Sequence, residues 1–124
     1  MQARMGAMKK VLIFAAVAEG LTGLALVVAP SMVGQVLLGQ QLAGVAVPVA
    51  RVTGIALIGL GIACWPATPL VGMLAYTSIA MLYLGYVALA GEFVGVLLWP
   101  AVAIHALLSI LLFRALAAET GGKS

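Results

Sequence analysis

The chain has 124 residues, of which 65% are hydrophobic and 7% are charged, with a formal net charge of +3 and one cysteine. A soluble domain usually carries about 25% charged residues, so this composition excludes an ordinary soluble protein and indicates one that resides in lipid. The single cysteine excludes an intramolecular disulfide and any multi-cysteine metal or iron–sulfur site.

Four apolar segments are long enough to cross a bilayer, since a spanning helix needs about 20 residues. The predicted spans are residues 11–29, 47–64, 70–90 and 94–117. Pro30 ends the first span, while Thr68 and Pro69 supply an N-cap and a first-turn proline for the third. The sequence therefore predicts an all-α membrane protein, a four-helix transmembrane bundle forming a single domain over residues 1–124.

Two stretches allow more than one structure. Residues 30–46 are rich in glycine and glutamine, which predicts an interfacial connector with room for one short helix on the membrane surface. Pro100 either kinks a long fourth helix that starts near Val94 or begins a shorter helix just after Trp99. In the shorter version, Trp99 lies in the aromatic belt at the membrane surface.

Lysine and arginine concentrate at the two ends of the chain, where five of the six lie. The connections between the spans contain none, and such residues are retained on the cytoplasmic side of short loops, so both termini are expected in the cytoplasm. Glu92 then marks an outer turn. Because the basic residues flank apolar segments instead of forming a basic surface, the expected partner is the lipid bilayer and not nucleic acid.

Apart from Arg114 near the end of the fourth span, Glu19 and Arg51 are the charged residues inside the predicted spans. An unpaired charge at the bilayer centre costs about 2.5–3.5 kcal/mol on insertion scales, so a salt bridge between the two helices is the simplest interpretation. The functional alternative is that the Glu19 carboxylate binds a proton, a cation or a polar ligand, because intramembrane ionisable groups usually line a pathway or pocket. The two interpretations are compatible.

Tyr83 in the third span and His105 in the fourth are further polar residues inside the predicted spans. We expect Glu19, Arg51, Tyr83 and His105, one from each span, to converge in the outer half of the bundle as a buried polar or ligand-binding cluster. The alternative is packing, with a core tyrosine and a neutral, hydrogen-bonded histidine. A lone histidine does not favour haem or metal ligation, and the chain carries no catalytic motif, so no catalytic residue is expected.

Small residues at four-residue spacing mark contact faces between membrane helices. Such rows occur in the first two spans, at residues 15, 19 and 23 and at residues 46, 50 and 54. The same two spans share a short similarity, residues 22–27 against residues 53–58, that begins with Thr-Gly in both. These rows predict close contact between the first and second spans.

The second span carries Arg51, Gly54, Leu57, Leu60 and Gly61, an Arg-x-x-Gly followed by Leu-x-x-Leu-Gly spacing. With the proline-ended first span, this resembles small bacterial DoxX-like four-helix membrane proteins, many of which are uncharacterised. Some are linked to quinone or thiol redox systems. The resemblance implies a bacterial inner-membrane protein that serves as an accessory or interaction subunit, beside other membrane subunits or copies of itself, with a quinone-like ligand.

Ala18-Glu19 inside the first span resembles a second family, the small multidrug-resistance transporters, which carry a glutamate in the middle of their first span. That resemblance implies a proton-coupled transporter in which Glu19 is the binding carboxylate. The chain departs from the family at Arg51, which would neutralise a cation-binding glutamate. The charge bias at its termini also argues against dual topology.

Overall fold

A computed structural model describes residues 2–65 and 69–122, and within these residues all regular structure is helical. The five helices are α1 (Gln2–Val28), α2 (Pro30–Leu38), α3 (Ala46–Cys64), α4 (Pro69–Ala90) and α5 (Leu98–Gly121). All except α2 are long and apolar enough to cross a membrane. The predicted fold class, an all-α protein with four membrane-spanning helices, is confirmed. The predicted N-cap residue, Thr68, lies outside the described residues.

The prolines begin helices as their chemistry requires. Pro30 begins α2, the short helix of the connector, and Gly39 ends it at φ 77°, a left-handed conformation that glycine adopts without strain. Pro100 lies in the first turn of α5, which begins at Leu98, so the proline stands at the start of the fourth helix and does not kink it. A first-turn proline costs no helical hydrogen bond, since the N–H there has no intrahelical partner.

The spanning helices pack side by side in chain order: α1 on α3, α3 on α4 and α4 on α5, with α2 against α1 and α3. Neighbouring spans run antiparallel. We call the end with the start of α1 and the end of α5 the proximal end, and the opposite one the distal end. Among the described residues, no Cα of α1 lies within 8 Å of a Cα of α4 or α5, so the bundle is open between its first and last helices.

Two glycines allow α1 and α3 to approach each other closely. A Cβ added at Gly54 would lie 2.5 Å from the carbonyl oxygen of Gly23, and one added at Gly23 would collide with the carbonyl oxygen of Gly54. Both belong to the predicted small-residue rows and to the repeated Thr-Gly. The crossing is nearly symmetric, because a Cβ at Gly23 meets Ile58 and one at Gly54 meets Val27, each four residues beyond the partner glycine.

Glycines also bring α3 and α4 together towards the proximal end. A Cβ at Gly72 would lie 2.5 Å from the backbone nitrogen of Ala63, and one at Gly59 would lie 2.7 Å from the Cβ of Tyr76. At the distal end, by contrast, a Cβ at Gly85 or Gly91 would meet nothing within 4 Å. The distal part of the α3–α4 pair surrounds a cavity instead.

Candidate functional site

A cavity of about 320 Å³ lies at the distal end, between the start of α3, the end of α4 and the segment that follows α4. Four polar or charged residues contribute to its lining: Arg51, Tyr83, Tyr86 and Glu92. Three further cavities between the helices are lined mainly by apolar side chains. We call the first one the distal cavity.

Arg51 is half-buried and is held in place by the neighbouring helix. Its Nε donates a hydrogen bond to the carbonyl oxygen of Val27, at 3.2 Å. Val27 lies in the last turn of α1, where carbonyl groups lack partners within the helix and attract positive charge. The terminal guanidinium nitrogens have no hydrogen-bond partner among the described residues, so they can bind a ligand in the cavity.

Tyr83 and Tyr86 form an aromatic wall of the distal cavity. They are three residues apart on α4, which puts them on neighbouring positions of one helix face. Their rings stack with centroids 6.4 Å apart and an interplanar angle of 30°. Tyr83 is half-buried and Tyr86 is exposed, so the wall runs from inside the bundle to its surface.

Glu92 is an exposed residue that brings a negative charge to the same cavity. It follows Gly91, whose φ of 77° turns the chain away from the end of α4. Within the described part of the chain, Glu92 and Arg51 form no ion pair although both line the cavity. From its position in the sequence, Glu92 was expected only to mark an outer turn. Its proximity to Arg51 was implicit in the antiparallel spans, because one ends just before Glu92 and the other begins shortly before Arg51.

An apolar groove of about 300 Å³ adjoins the distal cavity. The two share Pro48, Val87 and Phe93 in their linings, and the groove continues towards Leu84 and the start of α5 at Leu98. A polar space that lies beside an apolar groove suits a molecule with a polar head and a hydrocarbon tail. Among the described residues, no three His, Cys, Asp or Glu side chains converge as a metal site requires.

Glu19 lies away from this cavity. Arg51 donates its hydrogen bond to Val27, which is eight residues after Glu19 on α1. At ~1.5 Å per residue, the Arg51 guanidinium therefore lies about 12 Å further along α1 than Glu19. Glu19 is half-buried and has neither an ion pair nor a side-chain hydrogen bond among the described residues. The expected Glu19–Arg51 salt bridge is therefore not formed, because the guanidinium turns to the end of α1 and not to its middle.

His105 lies on the contact between α4 and α5. Its Nδ1 is 2.8 Å from the carbonyl oxygen of Ala101, and because a carbonyl can only accept, Nδ1 is the protonated nitrogen. The ring meets Tyr76 edge-on, with centroids 5.8 Å apart. One turn further along α5, Ser109 Oγ lies 3.1 Å from Oγ1 of the buried Thr77. His105 thus belongs to a polar seam within the bundle.

The four predicted cluster residues therefore occupy three places. Arg51 and Tyr83 meet in the distal cavity, whereas Glu19 and His105 do not join them. The reason is the open bundle: among the described residues no Cα of α1 comes within 8 Å of α4 or α5, so the helix that carries Glu19 is not packed against those that carry Tyr83 and His105.

No family model, curated protein or solved structure matches the chain. The resemblances to DoxX-like proteins and to small multidrug-resistance transporters stay predictions. A functional proposal can therefore rest on two features of the molecule. These are the distal cavity and the carboxyl group of Glu19, which has no partner among the described residues.

Proposed function

We propose that this protein is an accessory subunit of a membrane system and that its distal cavity holds the polar head of a membrane amphiphile. The observation that carries the proposal is that the cavity around Arg51 and Tyr83 lies beside an apolar groove, with which it shares Pro48, Val87 and Phe93 in its lining. The head group meets the guanidinium and the tyrosine hydroxyl, and the hydrocarbon tail follows the groove. A subunit with such a site retains an amphiphile in the bilayer and presents it to a partner.

A quinone is one ligand class that suits this site and the redox role implied by the resemblance to DoxX-like proteins. Its carbonyl oxygens accept hydrogen bonds, which Arg51 and Tyr83 donate, and its ring can stack on a tyrosine face. We further propose that the protein lies in the inner membrane of a bacterium with both termini in the cytoplasm. The distal cavity then opens at the outer leaflet.

Extraction of bound amphiphiles from the purified protein tests this proposal. Quinones and lipids released by organic solvent are quantified per chain by mass spectrometry. We expect wild type to carry a near-stoichiometric amphiphile and Arg51→Gln to lose about tenfold or more of it, since hydrogen bonds to charged groups contribute about 1.5–3 kcal/mol. Arg114→Gln, an exposed position on α5, is the matched control. Equal retention by the two variants would contradict the proposal.

Glu19 supports a second candidate function, a proton-coupled transporter of lipophilic cations. The observation in its favour is that Glu19 lacks a partner among the described residues, so Arg51 does not neutralise it. Proteoliposomes with an imposed pH gradient test this, with tetraphenylphosphonium as the transported cation. Uptake that is abolished by Glu19→Gln and retained by Glu119→Gln would establish transport and defeat the accessory-subunit proposal. No uptake above empty liposomes would remove the transporter.

A further inference from the structure

The distal cavity brings a positive and a negative charge into one space without joining them. Arg51 belongs to α3 and Glu92 follows α4, and no ion pair links them in the part of the chain that the structure describes. The Nε of Arg51 is already bound to Val27, which fixes the guanidinium near α1. Two opposite charges that line one cavity and remain apart form a site that a dipolar ligand can bridge.

We infer that the distal cavity binds the head group of a zwitterionic phospholipid, with its phosphate on Arg51 and its ammonium group beside Glu92. This inference rests on the proposed function, since it uses the same cavity and groove, and it specifies the class of amphiphile. A guanidinium forms strong, charge-assisted hydrogen bonds with phosphate oxygens. A carboxylate attracts an ammonium group, and the faces of Tyr83 and Tyr86 attract the same cation.

The depth of the charges matches the order of groups along such a lipid. Arg51 is the sixth residue of α3, about 7.5 Å below the start of the helix at ~1.5 Å per residue. Glu92 lies two residues beyond the end of α4 and is exposed. From the inside outwards the cavity therefore presents the guanidinium and then the carboxylate. A phospholipid with a zwitterionic head group presents its phosphate and then its ammonium group in the same order.

Other amphiphiles satisfy only part of this site. The head group of phosphatidylglycerol offers a phosphate to Arg51 but brings a neutral glycerol to Glu92. A quinone offers hydrogen-bond acceptors to Arg51 and has no cation for Glu92 or for the tyrosine rings. The carboxylate of Glu92 is therefore the group that selects among head groups, whereas Arg51 contributes to the binding of all of them.

Native mass spectrometry of the full-length protein in mild detergent tests this selectivity. The protein is titrated with phosphatidylethanolamine, phosphatidylcholine and phosphatidylglycerol that carry identical acyl chains. We expect the two zwitterionic lipids to bind about fivefold more tightly than phosphatidylglycerol, a difference of the size that an exposed charge pair and a cation–π contact supply. Glu92→Gln should reduce the preference to the part that the tyrosine rings supply, without weakening phosphatidylglycerol binding. Glu92→Asp, which keeps the charge, and Glu119→Gln, which is remote from the cavity, should retain it.

The possible results separate this inference from the proposed function. Equal affinities for the three lipids in wild type, or a preference that Glu92→Gln leaves unchanged, would overturn the inference. The proposed amphiphile site would still stand if Arg51→Gln weakened all three lipids. If Arg51→Gln left the binding of every lipid unchanged, both the inference and the proposed function would be overturned. Circular dichroism of each variant in the same detergent verifies that its helices are intact.

Discussion

At the level of single residues, Arg51 combines an observed structural contact with the ligand contact that we propose. Its Nε caps the end of α1 through the Val27 carbonyl, while its terminal nitrogens are left for the distal cavity. The planar guanidinium can serve both because it presents five N–H donors in fixed directions. A lysine ammonium is a single point charge and would have to serve one or the other.

Arg51→Lys should therefore retain less amphiphile than wild type and more than Arg51→Gln. The charge survives, but the donor geometry that reaches both Val27 and the cavity is lost. Extraction and quantification of bound amphiphiles from the three proteins gives the order. Full retention by Arg51→Lys would show that only the charge of residue 51 matters.

Gly54→Ala should destabilise the protein by about 1–3 kcal/mol, because its Cβ would overlap the Gly23 carbonyl. The overlap is with backbone, so the two helices would have to move apart to relieve it. Gly20→Ala is the matched control on α1, since a Cβ there meets nothing within 4 Å. It should leave stability unchanged or raise it, as alanine favours a helix by about 1 kcal/mol over glycine. Unfolding in increasing SDS measures both. A destabilised Gly20→Ala with an unaffected Gly54→Ala would contradict the α1–α3 crossing.

At the level of helices, the sequence predicts the number of spans and their approximate bounds, with the fourth displaced by four residues, but not how most of them pack. Apolar length and proline positions locate the four spans, whose observed bounds are Lys9–Val28, Ala46–Cys64, Pro69–Ala90 and Leu98–Gly121. Pro100 stayed ambiguous because a kink and a first turn both accommodate proline. Helices in lipid are apolar on every side, so hydrophobic periodicity does not mark an inward face.

In such a sequence, small residues at regular spacing still indicate which helix faces pack together. They predicted the contact of α1 with α3, which Gly23 and Gly54 make. Nothing comparable marks the α4–α5 contact, where Thr77 and Ser109 meet through their hydroxyl groups. The four-helix polar cluster was expected because the sequence does not reveal that α1 lies apart from α4 and α5.

Thr77→Val and Ser109→Ala should show a coupling free energy of about 0.6 kcal/mol, the usual size for hydrogen bonds between membrane helices. A double-mutant cycle on SDS unfolding measures it, since the cycle cancels the separate effect of each change. Thr53→Val with Ser109→Ala is the control pair, because the exposed Thr53 bonds only to Val49 of its own helix. Coupling as large in the control as in the test pair would rule out a specific α4–α5 bond.

At the level of the whole molecule, the open order α1–α3–α4–α5 locates both described chain ends at the proximal end and the polar cavity at the distal end. The charges at the chain ends therefore decide which membrane surface the distal cavity faces. With the termini in the cytoplasm, the distal cavity faces the outer leaflet, which is the side from which the amphiphile that we propose would enter. Cys64, at the proximal end of α3, then lies on the cytoplasmic side.

A membrane-impermeant thiol reagent added to intact cells should leave Cys64 unlabelled. Val96→Cys in a Cys64→Ala background should be labelled, because Val96 is 94% exposed in the distal segment between α4 and α5. Labelling is read by gel shift before and after the membrane is permeabilised. The opposite pattern, with Cys64 labelled and Val96→Cys protected, would invert the topology and move the cavity to the inner leaflet.

Cross-linking with a phospholipid that carries a photoactivatable group beside its phosphate tests most directly whether the distal cavity is the binding site. After irradiation of the reconstituted protein, peptide mass spectrometry locates the attached lipid. The label should concentrate on residues 47–51 and 83–93, and Arg51→Gln should remove it from both. A label spread evenly along the lipid-facing helices, or concentrated near Glu19, would contradict a head-group site in the distal cavity.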